Sequence, residues 1–70
     1  MPYYVYVDPS TGKITTGNSL PLGALNAKQF STSGEAQKYM NFVNQKPYGS
    51  VPDLMRAMDA AEMARLAGLF

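Results

Sequence analysis

The stretch PYYVYVDPSTGKITTG, residues 2–17, leaves its backbone few options. Its first half is rich in β-branched and aromatic residues, which suit a half-buried pleated surface. Side chains alternate along a strand, so Tyr3, Val5 and Val7 share one face and Tyr4 and Tyr6 the other. The valine face is the expected core face. DPSTGK then makes a turn with a mechanism. Asp8 accepts from nearby amides, Pro9 presets φ, and Gly12 takes positive φ. KITTG returns as a second strand, which completes a β-hairpin. Asp8, Ser10 and Thr11 offer oxygen atoms, but the calcium-loop spacing is missing, so the turn reading is preferred to an ion site.

The other elements must cover that hairpin without covalent help. Seventy residues make one small domain, 1–70. Chains of this size bury only about 60% of their unfolded surface. Cysteine and histidine are both absent. That removes disulfides, the usual zinc ligands and the commonest general base. No metal or cofactor is expected, which leaves packing or self-association to stabilise the fold.

NSLPLGALN, residues 18–26, reads as an ordered loop that tucks Leu20, Leu22 and Leu25 onto the core. NAKQF, residues 26–30, is a candidate third strand with Ala27 and Gln29 on one side. The next segment, STSGEAQKYMNFVNQ, is a helix. Thr32 and Glu35 form a capping box. Ala36, Tyr39, Met40 and Val43 follow as one apolar stripe. Phe42 falls off the stripe, with burial in the chain the favoured outcome and a partner contact the alternative. KPYG interrupts, and SVPDLMRAMDAAEMARLAGL begins a second helix, with Ser50 and Asp53 as its capping box and Gly68 as its stop. The order is ββ(β)αα, an α+β domain.

The last helix is apolar on two sides of its wheel. Leu54, Met55, Met58, Leu66 and Leu69 gather on one, with Ala61 at the border. Ala57, Ala60, Ala64 and Ala67 gather on the other, flanked by Met63 and Phe70. Its charges recur every third residue, drift around the axis and offer i, i+3 pairs. Small side chains let a second backbone approach closely. The alanine side, with Met63 and Phe70, is therefore the first candidate for a protein interface. The bland alternative is an exposed alanine face, since alanine is the best helix former.

Composition narrows the function classes. Charged residues are 16% of the chain, the hydrophobic share is 46% and the net charge is +1. So few charges suit a protein that sits inside an assembly. No run approaches the length of a membrane span, and no leader pattern opens the chain. A cytoplasmic location is the default expectation. Catalysis is not expected: Asp59 and Glu62 each neighbour an arginine and read as an ion ladder. Tyr4 and Tyr6 resemble a base-stacking platform flanked by Lys13 and Lys28, yet +1 gives little phosphate attraction, so nucleic acid is an unfavoured partner. Tyr4, Tyr6 and Phe42 are kept as a secondary binding surface.

AKQFSTSGEAQKYM after the hairpin YVYVDPSTGKI resembles a pattern of short bacterial and phage-encoded proteins. The resemblance covers about half the chain and carries no functional residues. It implies a phage setting, with roles as a virion component or an inhibitor of host machinery. The favoured expectation is a non-catalytic, self-associating structural or accessory subunit. The alternative is a monomeric inhibitor of one host protein.

Overall fold

The computed structural model describes residues 2–69. Three strands and two helices follow in order: β1 Tyr3–Val7, β2 Ile14–Gly17, β3 Leu25–Phe30, α1 Ser33–Val43 and α2 Val51–Leu66. The strands form one antiparallel sheet in the order β2-β1-β3. The α+β reading and the third strand are both present, with β3 starting one residue earlier than 26–30.

The hairpin turn closes as its chemistry dictates. The Asp8 carboxylate accepts from the Ser10 amide at 2.9 Å and the Ser10 hydroxyl at 2.7 Å. Gly12 has φ +71°, and a Cβ there would sit 3.2 Å from Val51 Cγ2. The turn thus lies against the start of α2, where only glycine fits without strain.

Both outer strands run antiparallel to β1, so β2 and β3 are parallel to each other. The loop between them must cross β1 from one end of the sheet to the other. The helices occupy the valine face, so the loop crosses the tyrosine face. This topology corrects the expected role of the loop leucines. Leu25 packs on the core, but Leu22 is fully exposed and Leu20 is 45% exposed. A crossing loop held over the opposite face cannot deliver them to the helices.

β3 carries one extra residue. Val5 pairs with Lys28 and Val7 with Leu25, so Tyr6 alone faces Asn26 and Ala27. Asn26 takes φ 51°, the left-handed conformation that asparagine tolerates better than most residues. The bulge aims its side chain at α2, where Nδ2 donates to the Met55 carbonyl and to Asp59 Oδ1, each at 3.2 Å. Ala27 and Gln29 are exposed.

The core lies between the valine face and the two helices. Val5, Val7, Phe30, Ala36, Tyr39, Val43, Leu54, Met58 and Ala61 are buried together. Both N-caps form: Thr32 Oγ1 accepts from the Glu35 amide and Ser50 Oγ from the Asp53 amide. α2 ends in a Schellman turn. The Gly68 amide donates to the Arg65 carbonyl at 3.0 Å, the Leu69 amide to the Ala64 carbonyl at 2.9 Å, and Gly68 has φ +78°.

Tyr39 joins the layers. It is fully buried, its hydroxyl donates to the Met58 carbonyl at 2.7 Å, and its ring centroid lies 5.1 Å from that of Phe30. Burial pushes its phenol well above the ordinary value near 10, and the negative charges of Glu62 and Asp59 add to this. A raised phenol pKa contributes stability below the unfolded value near 10, and that contribution is lost as pH rises further. Tyr39→Phe is therefore expected to cost about 1 kcal/mol at neutral pH through the lost hydrogen bond. Its deficit should shrink as pH passes 10. Urea titrations of both proteins across that range measure it; a deficit that grows with pH contradicts the assignment.

Candidate protein interface

Tyr39 and the core fix which side of α2 faces out. Leu54, Met58 and Ala61 are buried, and Val51, Met55 and Ala57 pack beside them. Ala61, placed at a border by the helix wheel, is at the centre of the contact. Leu66 and Leu69, assigned to the core side, are instead 74% and 76% exposed. The sheet and α1 reach the first three turns of α2 but leave its end uncovered.

The alanine side divides. Ala57 packs on the core and Ala64 is half-buried, whereas Ala60 and Ala67 are exposed. Ala57 thus serves packing within the chain first. Met63, which flanks Ala67 on the wheel, is 73% exposed. Phe70 lies outside the described residues.

Beyond Asp59 this outward face carries no charge, for a structural reason. Glu62 and Arg65 are the only charged residues after Asp59. They pair with each other at 2.6 Å, both largely buried, and the Arg65 guanidinium sits 4.9 Å above the Phe30 ring. Both are drawn inward, so Ala60, Met63 and Ala67 form an apolar arc, with Leu66 exposed at its edge. Earlier on the helix, Arg56 pairs with Asp53, and each is well exposed.

Asp59 does not pair with Arg56 as the spacing allows. It accepts from Asn26 Nδ2 and from Lys28 Nζ at 3.3 Å, which ties β3 to α2. The bond from Asn26, then that from Lys28, holds its carboxyl below the usual range. This cluster escaped the sequence reading. Its one signal is an asparagine at a strand start, a residue suited to the left-handed bulge.

Lys28 is therefore on the helix side of the sheet, away from Tyr4 and Tyr6. Tyr4 is half-buried and Tyr6 is only 9% exposed. Its hydroxyl lies near Gly17, where the crossing loop departs. The pair does not present an open stacking platform.

Phe42 joins the first surface rather than the tyrosines. It remains 38% exposed, against the expectation of burial. With Val43, Gln45, Lys46, Tyr48, Ala57 and Ala60 it lines a groove of about 300 Å³ between the end of α1 and the outer side of α2. The Tyr48 hydroxyl donates to the Val43 carbonyl and braces one wall. Groove and arc share Ala60. A cleft of about 530 Å³ adjoins the groove, between the hairpin turn and the start of α2; Lys46 and Tyr48 line both, and Lys13 lines the cleft.

Among the described residues no helix is long and apolar enough to cross a membrane. No known protein family, curated protein or solved structure matches this chain.

The polar tie predicts an acid response. A depressed carboxyl pKa contributes stability above its unfolded value near 4, and that contribution is lost as pH falls through the folded value. The thermal midpoint of the wild type should fall on acidification below pH ~4. Asp59→Asn should start lower at neutral pH and fall less steeply. Melts of the two proteins across that range decide it; parallel curves contradict the role given to Asp59.

Proposed function

We propose that this chain is a non-catalytic protein-binding domain that works by self-association, as a structural or accessory subunit of an assembly. The observation that carries the reading is the uncovered apolar end of α2 and the residues after it, where Met63, Leu66 and Leu69 are each about three-quarters exposed. Large apolar side chains gathered at one exposed site mark an interaction surface more often than a tolerated accident. The adjoining groove, with the exposed edge of Phe42, enlarges it. Aromatic residues and methionine are enriched where proteins meet. The resemblance to short phage-encoded proteins favours a virion or accessory setting.

The alternative is a monomer that offers the same face to one unlike protein. The two readings differ in the mass of the isolated chain. On self-association, light scattering across a dilution series gives twice the single-chain mass at high concentration and the single-chain mass when dilute. Met63→Glu puts a carboxylate from each copy into the contact and should hold the single-chain mass throughout. Met63 is exposed, so the variant keeps its helical circular dichroism. A wild type of single-chain mass at every concentration overturns self-association in favour of an unlike partner. A variant that still doubles its mass removes this face from the contact.

A further inference from the structure

We propose that the cleft between the hairpin turn and the start of α2 binds a small organic phosphate monoester, held by Lys13 and Lys46 with its apolar body against Ile14, Tyr48 and Val51. The proposal does not depend on self-association. The cleft encloses about 530 Å³. Small-molecule sites run from about 300 to 1,000 Å³ and combine apolar walls with a few polar groups.

The charge balance of the chain points to an anion. All five side-chain carboxylates are engaged within the fold. Asp53, Asp59 and Glu62 pair with Arg56, Lys28 and Arg65. Asp8 accepts from Ser10, and Glu35 accepts from the Thr32 hydroxyl. Lys13, Lys38 and Lys46 are the side-chain cations left without an ion pair among the described residues. Lys13 and Lys46 both line the cleft, and none of the carboxylates does. The hydroxyls on its walls can donate as well. Thr11 Oγ1 accepts from the Lys13 amide and Ser50 Oγ from the Asp53 amide, each at 3.3 Å. Each bond uses a lone pair and leaves the hydroxyl proton for another acceptor.

The class of anion follows from the cations. Lysine binds phosphate as a compact point charge. Both arginines, the residues suited to forked pairing with a carboxylate, are held by Asp53 and Glu62. A phosphate monoester carries roughly −1.5 to −2 charges at neutral pH, which two lysines match and one carboxylate does not. The apolar wall is already in place. Ile14, Tyr48 and Val51 pack on the core. The Tyr48 hydroxyl donates to the Val43 carbonyl, and Gly12 lies against Val51. A wall fixed in advance loses little freedom when a ligand arrives.

The test is a titration of the isotope-labelled chain with phenyl phosphate in low salt, followed by amide nuclear magnetic resonance shifts. Saturable shifts are expected at residues 11–14 and 46–51, the two sides of the cleft. Inorganic phosphate should move the same residues with weaker affinity, and phenol should not saturate. Lys13→Gln and Lys46→Gln should each weaken phenyl phosphate binding by roughly three- to fivefold. Lys38→Gln removes the same charge outside the cleft and should leave binding unchanged. All three lysines are exposed, so the variants keep the wild-type fold, which their unliganded spectra check. Shifts that never saturate, that centre on Lys38, or that survive the Lys13→Gln and Lys46→Gln double variant overturn the site. Equal affinity for inorganic phosphate and phenyl phosphate overturns the organic ligand and leaves a bare anion site. Light scattering of the wild type decides self-association separately.

Discussion

Tyr39 sets the geometry on which the outer surface depends. A buried phenol needs a partner for its hydroxyl. It takes the Met58 carbonyl, at 2.7 Å, in the middle of α2. That bond, with the ring packed on Phe30, restricts how α2 turns about its own axis against α1. Met58 and Ala61 go inward as a result. Ala60, Met63 and Ala67, on the opposite arc of the same helix, go outward. The apolar stripe is thus a consequence of the core contact as well as of composition.

A second fastening acts from the sheet. The bulge in β3 sends Asn26 to the Met55 carbonyl and Asp59, and Lys28 reaches the same carboxylate. Bulges re-aim side chains in this way. Arg65 adds a third contact over Phe30, held by Glu62. All three use polar groups of α2 on its sheet-facing flanks. Asp59, Glu62 and Arg65 are engaged on those flanks, which leaves the outer face of the last two turns without charge.

Local chemistry was legible in the residues. The Asp8–Gly12 turn, the Thr32 and Ser50 caps and the Gly68 stop all act over a few neighbouring positions, and each formed as its residue types require. What depends on topology was not legible. Leu20 and Leu22 look like core residues until the loop is seen to cross the far side of the sheet. Tyr6 looks like an open ring for the same reason. A helix wheel shows two apolar sides but not how far along each the neighbours reach, so it puts Leu66 and Leu69 on the core side and Ala61 at its edge. Lys28 and Asp59 lie 31 residues apart, and only the bulge brings them together. Within the candidate site, Met63, Ala60 and Ala67 were found by pattern. The link from Ala60 to Phe42 required the packing of α1 on α2.

The central claim is that one sparsely charged face, spanning the outer side of α2 and the end of α1, is the working surface of this chain. The most direct measurement is the amide nuclear magnetic resonance spectrum of the wild type, recorded residue by residue from concentrated to dilute solution. The account predicts shifts confined to the neighbourhood of Phe42 and residues 56–67, with the β1–β2 hairpin unmoved. Shifts centred on the hairpin, or a spectrum that does not change with concentration, would contradict it.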